Sequence, residues 1–206
     1  MGLVENIAYV NKLLDNYAAA RYPWMGVASQ NPKDFGVPPE MWDGEVNSDG
    51  WVAWKMLPST LKEADIEHLE EEFGVRFPPL FRAYMLARFQ LFDQVHSQKY
   101  DQLIFMTAVP SRCPLKPLRT LLQSWGALNS AGFNPFAEWG DAWGPMCFDA
   151  QERDSEGDCP IVWMDHELLC PLGGERCKQR EVVLPLVRPL YLSFQEFLED
   201  VFSVAG

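Results

Sequence analysis

Gly74-Val75-Arg76-Phe77-Pro78-Pro79 separates two stretches of helical periodicity and forces the two helices to lie side by side. Before it, Ala64, Ile66, Leu69 and Phe73 recur broadly at helical spacing. Thr60 and Glu63, three residues apart, read as the capping box that starts this helix, and Gly74 is its natural stop. Glu63, Asp65, Glu67 and Glu70 fall mainly on its outer side. After the break, proline suits the first turn of a second helix, whose apolar positions are Leu80, Phe81, Tyr84, Met85 and Phe89.

Around this pair the pattern changes twice. Residues 4–20 carry Val4, Ile7, Leu14 and Tyr17, with Ala8, Val10 and Leu13 beside them, which predicts an earlier helix. Later runs read as strands: 103–106, 145–148 and 160–164, with 182–184 and 190–191 weaker. The acidic stretch Gln151 to Asp158 has turn composition and joins the second and third of these as a hairpin loop. Ser193 with Glu196 forms a second capping box, followed by Phe194, Phe197, Leu198, Val201 and Phe202 on one helical face. Early helices, middle strands and a last helix predict an α+β fold, a mostly antiparallel sheet flanked by helices.

Residues 21–58 mix Pro23, Pro32, Pro38, Pro39 and Pro58 with Trp24, Trp42, Trp51 and Trp54. Turn formers among large aromatics describe an ordered, irregular segment that needs a surface to pack on. Residues 1–57 are therefore expected to be a helix and a Trp/Pro-rich extension packed on a main domain, residues 58–206. A chain of 206 residues buries roughly 70% of its unfolded surface and needs no covalent staple.

The formal net charge of −12 argues against direct nucleic-acid binding, whose phosphate contacts need a Lys/Arg surplus, and against anionic membranes. It favours basic protein partners. The charge is uneven: residues 136–167 hold nine acids against one base. No run of about 18 apolar residues is present, which predicts no membrane span. The opening residues lack a signal-peptide core, and Met1-Gly2 lacks the Ser or Thr of a myristoylation motif at position six. Five cysteines, an odd number with no C-x-x-C, point to reduced thiols in the cytoplasm. His68, His96 and His166 lie far apart, so no metal site is expected.

The segment Ile66-Glu67-x-Leu69-Glu70-x-x-Phe73-Gly74-Val75-x-Phe77-Pro78-x-x-Phe81-Arg82-x-Tyr84-Met85 resembles the opening helix pair of the SUKH superfamily. Phe136, Trp139 and Asp141, then Phe148-Asp149, then Pro160-Ile161-Val162 leading to Asp165-His166-Glu167, resemble its later strands. Ser193-Phe194-x-x-Phe197-Leu198 resembles its last helix. The resemblance covers about residues 58–204. It departs at Phe77, where Leu is usual, and in lacking an Asn-Gly after the second helix. It implies a non-enzymatic binding module without a cofactor. Bacterial members are commonly immunity proteins that neutralise a cognate polymorphic toxin, often a nuclease or deaminase.

An acidic inhibitor suits the basic surface of such a toxin, and tryptophans supply anchors. The candidate partner-binding residues are Glu138, Trp139, Asp141, Asp149, Asp154, Glu156 and Asp158. The competing reading puts Trp139, Trp143 and Trp163 in the core and makes 151–158 a solvated turn. A hydrolase would draw on His166, flanked by Asp165 and Glu167, with Cys147 as nucleophile, although the apolar neighbours of Cys147 suggest an inert thiol. A regulatory or scaffold adaptor would use Trp42, Trp51 and Trp54 as a peptide groove. Those tryptophans equally suit packing on the main domain. His68 reads as a surface residue, 94–100 as a polar loop, and Arg176, Lys178 and Arg180 as a solvated basic turn. No phosphate-binding loop is present.

Overall fold

In the computed structural model, which describes residues 2–21, 27–29, 37–140 and 143–203, helix α1 (Leu3–Arg21) comes first. A strand pair, β1 (Val27–Ser29) with β2 (Trp51–Ala53), follows. A second pair, β3 (Leu57–Pro58) with β4 (Arg88–Phe89), brackets α2 (Glu63–Phe73) and α3 (Pro79–Ala87). Next come β5 (Gln94–Ser97), β6 (Gln102–Met106), α4 (Lys116–Ser124), α5 (Gly126–Ser130), β7 (Phe133–Trp139) and β8 (Pro145–Asp149). The chain ends through β9 (Ile161–Trp163), α6 (His166–Leu169), α7 (Gly173–Cys177), α8 (Arg180–Val183), β10 (Arg188–Tyr191) and α9 (Phe194–Phe202). Strands β5 to β10 form one six-stranded sheet in sequential order, antiparallel throughout. The fold is α+β, as expected, with helices on both faces of the sheet.

Alternation along the strands divides the two faces. On β8, Met146 and Phe148 enter one core while Cys147 enters the other; on β9, Ile161 and Val162 divide the same way. On β7 a register shift between Pro135 and Ala137 inserts Phe136, so that Phe133 faces the second core but Phe136 and Ala137 face the first. The first core is a packed set of rings. Phe81 of α3 meets Phe148 and Phe194 edge-on at 5.3 Å, and Phe136 stacks on Phe148 at 4.3 Å. Each such ring, fully buried, contributes roughly 2–3 kcal/mol. The second core, beneath α5 to α8, gathers Leu128, Phe133, Val162, Leu169 and Val183.

The α2–α3 turn forms where expected, but its details differ. Helix α2 starts at Glu63 with Lys62 as its cap residue, and the Lys62 N–H donates to Asp65 Oδ2 at 2.8 Å, so Thr60 and Glu63 do not form the box. Gly74 adopts φ 62°, which allows its N–H to reach back into the last turn of α2. Glu70 turns inward instead of outward. Its Oε1 accepts the Phe77 N–H at 2.9 Å, satisfying an amide in the turn that no strand pairs. Arg82 of α3 lies 3.2 Å from Glu67 and 3.6 Å from Glu63, tying the helices from outside.

Helix α1 packs on α3 and α9 through Asn6, Val10 and Leu14, and Tyr17 sits edge-on between Phe92 and Phe202 at 5.3 and 5.1 Å. Val4 is 80% exposed, so the buried face is rotated from the expected one. Met41, Val52 and Trp54 belong to the same core, with the Trp54 ring 5.1 Å from Phe92. Trp24 lies outside the described residues.

Other expectations need correcting. Residues 182–184 are helical, the end of α8 running into a 3-10 turn at Leu184–Leu186, where Pro185 occupies the first turn. Gln94–Ser97, read as part of a polar loop, is an outer strand whose Val95 and Ser97 are buried. Phe89 lies in β4, beyond the end of α3. Among the described residues no helix is long and apolar enough to cross a membrane.

The two outer strands of the sheet are joined through α9. Asp200 Oδ2 accepts from Ser97 Oγ at 2.6 Å and lies 2.8 Å from the Tyr191 hydroxyl, while Oδ1 accepts the Lys99 N–H at 2.7 Å. Lys99 Nζ donates to the Leu190 carbonyl at 3.0 Å and to Glu196 at 2.8 Å, and the Tyr100 hydroxyl donates to the same carbonyl. The sheet must therefore curl around α9. Asp200→Ala is expected to lower stability by about 3 kcal/mol and Asp200→Asn by about half that, since hydrogen bonds to a charged group are the strong ones. Urea unfolding checks this; wild-type midpoints for both variants would rule out a structural role for the carboxylate.

Candidate functional site

The loop between β8 and β9, with Asp149 at its start, carries four of the seven expected binding residues and is braced by Asp149, Arg153, Asp154 and Asp158. At its start, Asp149 Oδ2 accepts from Arg180 Nη2 at 2.8 Å, and Oδ1 accepts the Gln151 N–H at 3.2 Å. The Arg180 guanidinium lies 4.5 Å from the centre of the Phe133 ring and donates to the Ala131 carbonyl. The Asp149 side chain is only 7% exposed. It fastens α8 to the sheet, and Arg180 is thereby a pin of the second core, not a solvated base.

Further along, Asp154 Oδ1 accepts the N–H groups of Glu156 and Asp158, both at 2.9 Å. This is the local turn chemistry for which aspartate is suited. Gly157, at φ 87°, closes the turn. Arg153, the single base among the acids of 136–167, donates to the Gly157 carbonyl and, at 2.6 Å, to the Arg76 carbonyl. The loop is thus clamped against the α2–α3 turn. Asp158 Oδ1 accepts the Cys159 N–H at 2.8 Å and the Phe194 N–H at 3.2 Å, linking the loop to the start of α9. Ser193 completes that start by accepting the Glu196 N–H, whereas Glu196 reaches the Leu192 amide.

Glu152, Asp154 and Glu156 are left facing solvent. Glu152 and Glu156 have no side-chain partner among the described residues. Glu152 was not among the expected residues, although it lies in the same acidic stretch.

The remaining candidates do not converge on this loop. Glu138 and Trp139 lie at the opposite end of the β7–β8 pair, where Glu138 stands across from Pro145. The four steps from Pro145 to Asp149 span about 13 Å. Glu138 is half-buried and accepts from Trp125 Nε1 at 3.2 Å. Trp139 is 7% exposed, stacks with Trp163 at 6.1 Å and meets Tyr100 edge-on. Asp141 lies outside the described residues. Trp143, by contrast, is 51% exposed.

The groups of the hydrolase reading are not assembled. Cys147 is fully buried, and burial pushes its thiol pKa well above the ordinary value. His166 Nδ1 lies 3.2 Å from the Trp143 carbonyl, and no hydrogen bond joins it to Cys147. Among the described residues no three His, Cys, Asp or Glu side chains are grouped to hold a metal. Of the N-terminal tryptophans, Trp54 is buried and Trp42 is half-buried with its Nε1 on the Val37 carbonyl at 2.8 Å. Trp51 is 42% exposed. No family model matches the chain, and no curated protein matches it.

Burial raises the Asp158 pKa, outweighing the Cys159 and Phe194 amides that lower it. A carboxyl whose folded pKa is raised favours the fold most when protonated, and that contribution is lost as pH rises through the folded value. Asp158→Asn keeps an acceptor for both amides. It is expected to be more stable than wild type at pH 7, with the difference vanishing below about pH 3. Unfolding curves at the two pH values check this; a variant less stable at pH 7 would contradict it.

Proposed function

We propose that this chain is a non-enzymatic binding protein whose acidic loop docks on a basic protein surface. The reading that fits best is an immunity protein of the SUKH type, acting in a reducing cytoplasm on a cognate nuclease- or deaminase-like toxin domain. The observation that carries it is the braced loop at 150–160. Arg153 and Asp154 fix the backbone, so Glu152 and Glu156 are held out to solvent without internal partners. A charged surface that is already ordered loses little conformational freedom on binding and speeds encounter with an oppositely charged partner. The buried Cys147 and the separate His166 lend no support to catalysis. Trp54 and Trp42 pack on the core, which favours this reading over one that uses them for recognition.

The test uses a tagged full-length chain, with capture from lysate of the source organism at low and high salt and identification of the captured protein. The expected partner is basic, is released at high salt, and is toxic unless co-expressed with this chain. Glu152→Gln combined with Glu156→Gln should slow association by about three- to tenfold at low salt and flatten its salt dependence. Unchanged association and salt dependence would remove the loop from the interface.

A further inference from the structure

The covering layer of the second core contains two cysteines at the wall of one small cavity. The cavity, about 170 Å³, is lined by Trp125, Leu128, Leu169, Cys170, Gly174 and Cys177, among others. Cys170 is exposed and begins the 3-10 turn after α6; Cys177 is buried at the end of α7. Cys177 Sγ lies 3.7 Å from the Leu169 carbonyl oxygen. A planar trans peptide sets that oxygen about 2.8 Å from the Cys170 Cα, so the Cys177 sulfur is within about 6.5 Å of it. Burial raises the Cys177 pKa, and the neighbouring Cys170 raises it further. Between them stand Gly173, at φ 71°, and Gly174, whose backbones have the freedom to absorb a small closure.

We infer that Cys170 and Cys177 form a peroxide-responsive dithiol site, closing to an intramolecular disulfide across this cavity. The exposed Cys170 reacts first. Its thiolate attacks one oxygen of hydrogen peroxide, the O–O bond breaks, and Cys170 sulfenic acid and hydroxide result. Cys177 sulfur then attacks the Cys170 sulfur, the S–O bond breaks, and the Cys177 proton leaves with the hydroxyl as water. Hydrogen peroxide is reduced to two waters and the two thiols are oxidised to one disulfide. The cavity supplies the space for the sulfurs to approach, since disulfide geometry demands a shorter separation than packing contact. Cys159 is buried in the first core, Cys147 is buried in the second core on β8 rather than at the wall of this cavity, and the exposed Cys113 lies between β6 and α4. The inference does not depend on the binding role of the acidic loop.

The test is oxidation of the full chain with hydrogen peroxide, blocking of remaining thiols with N-ethylmaleimide, and peptide mapping without reductant. Trypsin cleaves after Arg176, so the linked cysteines fall on two peptides. The expected product joins the Cys177-Lys178 peptide to the one ending at Arg176, with labelling of both cysteines lost together. Cys159 shares that second peptide, so Cys170→Ser must abolish the link; a link that persists would assign it to Cys159 and overturn the inference. In Cys177→Ser, whose hydroxyl can still donate to Leu169, Cys170 should accumulate as a dimedone-trapped sulfenic acid well above wild type. Retained labelling of Cys170 in wild type, oxidation of Cys170 only to sulfinic acid, or pairing with Cys113 of a second chain would each overturn it.

Discussion

The Asp200 carboxylate is the contact on which the shape of the sheet depends. It receives donors from β5, from the turn after it and from β10, which are the outermost parts of a six-stranded sheet. An open antiparallel sheet of this order would present two unpaired edges, and such edges invite pairing with other chains. Here the Leu190 carbonyl of β10 is taken by Lys99 and Tyr100 from the β5–β6 turn. Burial raises the Tyr191 pKa, and the adjacent Asp200 raises it further, so the phenol remains a donor under any ordinary condition. The Lys99 ammonium lowers the Glu196 pKa and so keeps the second acid of the helix ionised.

Closure around α9 also explains the crowding of aromatics. A helix held inside a curled sheet faces several strands at once, and Phe194 and Phe197 meet rings from α3, β7 and β8. The extra residue in β7 sets Ala137 beside Phe136 on this core, while Phe133 stays on the other face. The second face needs only short helices, because Arg180 fastens them through Asp149 and the Phe133 ring. Paired charges of this sort hold position as much as they stabilise, since desolvating both ions offsets much of their attraction.

Much of this architecture was legible in the residues. The helix pair around Gly74, the helix at 194–202 and the β8–β9 hairpin follow from periodicity and turn chemistry, which are local. Glu70 and Asp200 were not legible, because an acid on a helix reads as solvent-facing unless the distant amide or hydroxyl it serves is known. Gln94–Ser97 looked polar for a related reason: the partners of the buried Ser97 hydroxyl are Tyr191, 94 residues away, and Asp200, 103 residues away. At the candidate site, composition located the acidic loop but not which acids were free. Asp149 is claimed by Arg180, a residue 31 positions away. Trp139 reads equally as anchor or core until the ring stacked on it is seen.

The loop at 150–160 separates its two duties residue by residue. Arg153, Asp154, Gly157 and Asp158 carry the hydrogen bonds that define its course, with the backbone N–H of Glu156 among the donors, while the side chains of Glu152, Ser155 and Glu156 project to solvent. Substitutions at the three projecting positions alter the chemistry shown to the outside and leave the frame as it is. Single-residue steps at these positions can therefore change the charge and shape the loop shows to solvent without passing through intermediates that fail to fold.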